Sequence, residues 1–113
     1  RIDWGLLLLK TSFAKRASMP TKLAEFFAAG VRPIQYGCNA SVSAWVERAC
    51  SGVVLEDLSD EAIADAAHQI ADQGQGDEML LSHARDVTRP HFSVESGIRR
   101  YDDLLREILA PRA

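Results

Sequence analysis

The chain has 113 residues, of which 47% are hydrophobic and 26% are charged, and its formal net charge is −3. This balance is typical of a soluble globular domain with a packed core, rather than of a disordered or fibrous chain. The lysines and arginines are scattered, which argues against nucleic acid as a partner. The apolar run at residues 5–9 is far shorter than the roughly 20 residues that span a bilayer, so we expect a cytoplasmic protein.

Residue 1 is an arginine rather than a methionine, and we expect residues 1–113 to be a single partial domain of a longer protein. Cys38 and Cys50 stand twelve positions apart without a histidine at ligand spacing, so neither a zinc site nor a disulfide framework is supported. We expect both cysteines to be small buried hydrophobic residues. The three histidines are equally dispersed, and we predict no metal and no cofactor.

Three short apolar segments read as strands, in chain order. Residues 4–9 are apolar on both faces, which predicts a strand buried between two helical layers, as in parallel sheets. Residues 32–37 form the second candidate, with Pro33 in the first positions of the strand, and residues 51–56 form the third. Helical patterns separate them. The predicted fold class is therefore α/β: a Rossmann-like parallel sheet of about three strands with helices on both faces.

Three helices are predicted after the third strand. Ser59 caps the first of them, which carries a narrow stripe of small apolar residues for packing on the sheet. A second helix covers residues 77–87 and stops before Pro90. The final amphipathic helix covers about residues 93–109. The stripe of the first helix consists of Ala62, Ile63, Ala66, Ala67 and Ile70, and the apolar face of the last helix of Ile98, Tyr101, Leu104, Leu105, Ile108 and Leu109.

The helix predicted at residues 18–30, with the sequence SMPTKLAEFFAAG, has signals for both of its ends. Ser18 is a plausible cap, Pro20 suits the first turn, and Gly30 suits the left-handed position that ends a helix. A rotation of about 100° per residue places Leu23, Phe26 and Phe27 on one buried face.

Glu25 falls about 160° from the centre of that buried face by the same rotation. Spacing alone favours a solvated carboxylate, paired with Lys22, as its role. The alternative is a ligand site, because the helix follows a parallel strand and so begins at the carboxyl edge of the sheet, where open α/β folds bind ligands. The free N–H groups of Met19 to Lys22 suit phosphates, and the Glu25 carboxylate could accept hydrogen bonds from both hydroxyls of a ribose. This arrangement is the outline of a nucleotide-sugar site.

The sequence at residues 18–37, SMPTKLAEFFAAGVRPIQYG, resembles the donor-binding segment of GT-B glycosyltransferases, in which a lysine, a leucine and a glutamate precede the pattern Ala-x-Gly. Residues 52–72 look like the next strand, acidic loop and helix of that family, and residues 91–109 look like its C-terminal segment. The resemblance implies the second half of the family's carboxy-terminal, donor-binding domain. It also implies sugar transfer from a nucleoside-diphosphate sugar to an acceptor, without a metal, with an amino-terminal acceptor-binding domain as the partner.

The resemblance also assigns roles to single residues. Glu25 corresponds to the second glutamate of the family's pair, which holds the ribose, and the first glutamate of the pair would fall at Ala17. Ser18 or Lys15 is then the candidate substitute for the contact with the transferred sugar. The turn whose N–H groups face the diphosphate corresponds to Met19, Pro20, Thr21 and Lys22. The predicted donor-binding residues are thus Ser18, Met19, Pro20, Thr21, Lys22 and Glu25, and no catalytic residue is predicted within the chain.

Two other functions remain open on the sequence. One is a non-catalytic nucleotide-binding or regulatory α/β module that uses the same helix terminus. The other is a purely structural domain in which Glu25 is only solvated. The family's acceptors extend the expected location to the inner membrane surface. We also expect the apolar face of the final helix to lack its natural cover, and the chain to self-associate through it.

Overall fold

The computed structural model describes residues 2–37, 39–74 and 77–111. The strands are β1 (Trp4–Leu8), β2 (Arg32–Tyr36) and β3 (Val53–Leu55). The helices are α1 (Thr21–Ala29), α2 (Ala40–Arg48), α3 (Asp60–Gln73), α4 (Glu78–Phe92) and α5 (Val94–Leu109), and a short 3-10 turn covers Phe13–Lys15. The elements follow the predicted order along the chain.

The three strands form a parallel sheet in the order β1-β2-β3. Leu6 lies opposite Ile34, and Ile34 lies opposite Val53. Right-handed crossovers along this order place α1 and α2 on the same face of the sheet. The side chains of these two helices do share one core cluster, whereas α3 packs on β3 with a second cluster. The α/β class, the three strands and helices on both faces are confirmed, in a layout compatible with a Rossmann-like sheet.

The first core lies between the sheet and the helices α1, α2 and α4. Leu23 and Phe27 of α1 are fully buried there and Phe26 packs against them, which confirms the predicted buried face. Phe26 lies directly over Gly5, where a Cβ atom would stand 2.5 Å from its ring. The glycine in β1 therefore lets α1 approach the sheet closely. The buried members of this core are Leu7, Leu23, Phe27, Val42, Val46, Ala49 and Ala84.

The second core lies under α3 and covers only part of the opposite face. Ala66 packs there against Val53 and Leu55, with Ala62 and Ile70 beside it. Ile63 and Ala67, which were predicted to belong to the same stripe, are exposed because they lie further round the helix.

The prediction that β1 is buried between two helical layers is wrong for one of its faces. Leu7 is buried under α1, but Leu6 and Leu8 point to the opposite face and are 63% and 53% exposed. The cause is the position of α3, which packs against β3 at the other edge of the sheet. An apolar strip along β1 is therefore open.

Arg32 joins the sheet to the end of α3. Its side chain is only 1% exposed, and its guanidinium lies over the ring of Trp4 at 4.1 Å from the centroid. The guanidinium donates hydrogen bonds to the backbone oxygens of Gln73 at 3.2 Å and Gly74 at 2.7 Å. These carbonyls belong to the negative end of the helix dipole, which stabilises the buried cation.

The helix α4 extends past Pro90, contrary to the prediction that it stops before this residue. Pro90 lies in the last turn, so the missing N–H removes one hydrogen bond close to the end of the helix. The Ser93 N–H still bonds to the Arg89 oxygen at 3.0 Å, and the Ser96 hydroxyl donates to the Pro90 oxygen at 2.6 Å. The helix thus tolerates the proline because the groups around it are satisfied.

Cys50 is exposed, so the prediction that it is buried is wrong. It follows α2 with a φ of 50°, in the left-handed region of the backbone. Cys38 lies outside the described residues.

The final helix, α5, agrees with the predicted bounds and begins after Ser93, whose hydroxyl accepts a hydrogen bond from the Ser96 N–H. Its apolar face is uncovered: Tyr101 is 72% exposed, and its apolar neighbours along the helix are exposed as well. The apolar face of α5 is therefore exposed in this chain. Over the described residues, no helix combines the length and the hydropathy that a membrane crossing requires.

Candidate functional site

The loop between β1 and α1 lies at the carboxyl edge of the sheet and is held there by Asn39. This side chain is buried at the start of α2, and its Nδ2 donates hydrogen bonds to the backbone oxygens of Lys15, at 3.0 Å, and Ser18. Its Oδ1 accepts a hydrogen bond from the Val42 N–H at 3.1 Å. One amide thus caps α2 and fixes the loop before α1. This role was not predicted from the sequence, although an asparagine directly before a helix is a capping signal.

The amino-terminal end of α1 has no side-chain cap. Pro20 is the capping residue, and the Ser18 hydroxyl donates instead to the Lys15 oxygen at 3.1 Å. The predicted cap at Ser18 is therefore wrong, because this residue belongs to the turn before the helix. The backbone N–H groups of Thr21 and Lys22 have no hydrogen-bond partner among the described residues. They are available to an anion.

Glu25 lies on the exposed side of α1 and lines a cavity of about 500 Å³ between α1 and α4. Its carboxylate forms no hydrogen bond or ion pair within the described part of the chain, so the pairing with Lys22 that spacing suggested is absent there. The cavity is lined by Ala24, Glu25, Ala28, Arg85, Asp86, Thr88, Arg89, Phe92 and Ser93.

The two sides of this cavity differ in chemistry. On α1, Ala24 and Ala28 leave open space beside Glu25. On α4, Arg85, Arg89 and Phe92 recur at spacings of four and three residues, which places them on one face of the helix. The cavity therefore has a small-residue side that carries one carboxylate and a side of long cationic and aromatic side chains.

Gly30 positions α1 against α4. It ends α1 with a φ of 70°, and a Cβ atom on it would stand 2.6 Å from the Nη2 atom of Arg85. The buried Leu81 of α4 is also close, with its Cδ1 atom 3.7 Å from the same Cβ position. The predicted helix end at Gly30 is thus confirmed, and the same residue makes room for the Arg85 side chain beside the cavity.

The charged groups of the cavity are free to meet a ligand. Arg85, Asp86 and Arg89 form no side-chain ion pair within residues 2–37, 39–74 and 77–111, and each is exposed. Two guanidinium groups and two carboxylates, Glu25 and Asp86, can therefore bind a molecule that carries both donors and acceptors. Screening by water and salt keeps the attraction between these exposed groups weak when no ligand excludes solvent.

Six residues were predicted to bind the donor, and Glu25 is the one among them that lines the cavity. Ser18, Met19, Pro20, Thr21 and Lys22 lie before and in the first turn of α1, outside the cavity lining. The α4 side was missed from the sequence. Its only signal was the helical spacing of Arg85, Arg89 and Phe92, which does not reveal which helix they face.

Two further features bear on the chemistry of the edge. Hydrogen bonds from the hydroxyl and the backbone N–H of Ser59 lower the pKa of the Asp57 carboxyl, which lies in the loop after β3. Among the described residues, no group of three or more His, Cys, Asp or Glu side chains is arranged to hold a metal ion.

Comparison of the chain with protein-family models, with curated proteins and with solved structures found no match.

Proposed function

We propose that this chain provides the donor nucleotide-binding part of a glycosyltransferase that moves a sugar from a nucleoside-diphosphate sugar to an acceptor. The observation that carries this proposal is the unpaired Glu25 carboxylate. It lines a cavity along α1, the helix that follows the parallel strand β1 and begins at the carboxyl edge of the sheet. The GT-B-like sequence around it supports the same assignment.

Glu25 is proposed to bind the ribose of the donor. A carboxylate accepts hydrogen bonds only, and the 2′- and 3′-hydroxyls of a ribose are two adjacent donors. Bonds to a charged acceptor contribute roughly 1.5–3 kcal/mol each. Because Glu25 has no competing partner among the described residues, this free energy is available for binding.

The amino-terminal turn of α1 is proposed to bind the diphosphate. The N–H groups of Thr21 and Lys22 are unpaired within the described chain, and the helix dipole favours an anion at this end. In sugar transfer, negative charge grows on the departing nucleoside diphosphate, and donors fixed in advance stabilise it. The hydrogen bonds of Asn39 contribute indirectly by fixing the loop that leads into the helix.

The acceptor and the transferred sugar need groups beyond those assigned here. The position of the family's first glutamate is Ala17, which is exposed and offers no carboxylate to the sugar. We propose that an amino-terminal domain of the parent protein supplies the acceptor site, and that this chain alone binds the donor weakly and does not turn it over.

The proposal is tested by NMR titration of the 113-residue chain with millimolar UDP-glucose and GDP-mannose, a method suited to weak binding. Glu25→Gln keeps the size of the side chain but removes its charge, and we expect it to weaken binding about tenfold, equivalent to about 1.4 kcal/mol. Glu47→Gln, an exposed glutamate on α2 outside the cavity, is the matched control. Equal effects of the two substitutions would show that Glu25 does not bind the donor.

A non-catalytic nucleotide-binding module is the second candidate, favoured by the missing carboxylate at position 17. A sensor of this kind has no need to contact the sugar, so UDP and UDP-glucose would bind it equally well. A donor site that contacts the sugar through Ser18 or Lys15 would bind UDP-glucose more tightly than UDP. The ratio of these two affinities distinguishes the candidates.

A further inference from the structure

We propose that two copies of this chain associate through α5, with the apolar faces of the two helices packed against each other in antiparallel orientation about a two-fold axis. This inference is independent of the proposed function, because it uses no residue of the donor site. It assigns an occupant to the apolar face that the final helix leaves open.

The apolar side chains of α5 recur at intervals that alternate between four and three residues. This seven-residue repeat is the one by which two helices pack side by side over several turns. Each of these side chains is at least half exposed, so the described part of the chain leaves the face open. The occupant that the spacing favours is therefore another helix. The series consists of Val94, Ile98, Tyr101, Leu105 and Ile108.

The helix α5 projects from the rest of the fold, which leaves room for a second helix along it. Its principal contact is with α4. The radius of gyration is 16.8 Å and the longest dimension is 60 Å, whereas a compact domain of this length has a radius of gyration of about 13 Å. An open groove of about 530 Å³ lies along the apolar face between Val94 and Leu105.

The charges along one edge of the apolar face favour a second copy in antiparallel orientation. They alternate in sign along α5, so reversal of the helix brings carboxylates opposite arginines. A parallel pair would instead place this edge beside the other edge of the face, where Gly97 and Leu104 offer no charge. The charged edge, which lies roughly 80–140° from the centre of the apolar face by helical rotation, consists of Glu95, Arg99, Asp102 and Arg106.

One alignment of the two helices packs the apolar side chains in layers. A two-fold axis at residues 99–100 places Ile98 of each copy against Tyr101 of the other. The same axis places Val94 of each copy against Leu105 of the other. The dimer therefore has four apolar layers, and each layer covers side chains that are exposed in the single chain.

The same alignment joins the charged edges at four places. At 1.5 Å per residue, Arg99 lies about 3 Å along the helix axis from Asp102 of the second copy, and Arg106 lies the same distance from Glu95, an offset that long side chains span. Within α5, the Arg106 Nε already bonds to the Asp102 Oδ2 at 2.7 Å, but both side chains are more than half exposed, so this pair is weak. The other carboxylate oxygen of Asp102 is left for Arg99.

A lipid surface suits α5 less well than a second copy does. Helices that lie on anionic membranes carry an excess of lysine and arginine on their polar face. The helix α5 carries three arginines and four carboxylates, a net charge of −1, so it has no such excess. Charges of both signs around an apolar face suit a protein partner that offers charges of both signs in return.

The test uses charge reversal and sedimentation equilibrium of the 113-residue chain. The mass of the parent should rise from 12.4 kDa towards twice that value as the concentration increases. Arg99→Glu and Asp102→Arg each place like charges opposite each other, and we expect each to weaken the dimer about tenfold. Asp103→Arg makes the same change of charge on the side of α5 that faces away from the apolar face, and should leave the dimer unchanged.

An equimolar mixture of Arg99→Glu and Asp102→Arg tests the antiparallel contact itself. In the mixed pair each reversed residue meets an opposite charge, so we expect the mixture to associate as tightly as the parent, with the helix content of all variants matched by circular dichroism. A mixture no more associated than its components, or an equal effect of Asp103→Arg and Asp102→Arg, would overturn the inference. A parent chain that stays at 12.4 kDa and sediments with phosphatidylglycerol vesicles would assign the face to lipid instead.

Discussion

Replacement of Gly30 by alanine tests the fold and the cavity together, because this residue ends α1 and lies beside Arg85. An alanine in the left-handed conformation costs roughly 1–2 kcal/mol. The new Cβ would stand 2.6 Å from the Nη2 atom of Arg85, but this is the free end of a flexible side chain and can move at little cost. We therefore expect Gly30→Ala to lower the free energy of unfolding by about 1–2 kcal/mol, nearly all of it from the backbone.

Urea unfolding of Gly30→Ala, Arg85→Ala and the double variant measures the two contributions separately. If the backbone dominates, Gly30→Ala destabilises the Arg85→Ala protein by almost the same amount as the parent. Gly97→Ala is the control, since Gly97 lies inside a helix with open space around its missing Cβ. It should stabilise the chain by about 0.5–1 kcal/mol. A neutral Gly30→Ala, or an effect that disappears without Arg85, would mean that the left-handed backbone of residue 30 is not the cause of the destabilisation.

Three further substitutions test other parts of the structure. Asn39→Ala leaves two carbonyls and one N–H of the loop and α2 without their partner, and should lower the free energy of unfolding in urea by about 1–3 kcal/mol. Arg32→Met keeps a long side chain but loses two hydrogen bonds from a buried cation, and should lower it by about 2 kcal/mol or more. Leu105→Glu places a charge on the open apolar face of α5, and should abolish the concentration-dependent self-association that we expect in sedimentation velocity.

The opposite result in each of these three experiments would contradict the expected effect. An unchanged unfolding midpoint for Asn39→Ala would mean that the loop before α1 is not held by this amide. A stable Arg32→Met protein would mean that burial of the guanidinium offsets the free energy of its hydrogen bonds. A parent chain that sediments as a monomer at high concentration would remove the expected association through α5.

The sequence predicted the elements that local signals specify. Apolar runs located the three strands, and the spacing of Leu23, Phe26 and Phe27 located the buried face of α1 because helical periodicity is a local property. Gly30 was recognised for the same reason, since only a residue without a Cβ takes its conformation easily.

Features that depend on tertiary packing could not be predicted from local sequence signals. The open face of Leu6 and Leu8 follows from where α3 lies on the sheet, which the residues of β1 do not determine. The α4 side of the cavity depends on which helix packs against α1. The continuation of α4 past Pro90 depends on partners such as Ser96, which lie beyond the proline. Glu25 was identified from the sequence, but its surroundings were not.

A crystal structure of the chain with UDP or GDP bound would show directly whether Glu25 holds the ribose of the nucleotide. We expect the 2′- and 3′-hydroxyl oxygens of the ribose to lie about 2.5–3.0 Å from the carboxylate oxygens of Glu25. The phosphates should lie at the N–H groups of Thr21 and Lys22. A nucleotide bound elsewhere, with the Glu25 carboxylate in contact with solvent alone, would contradict the proposed donor site.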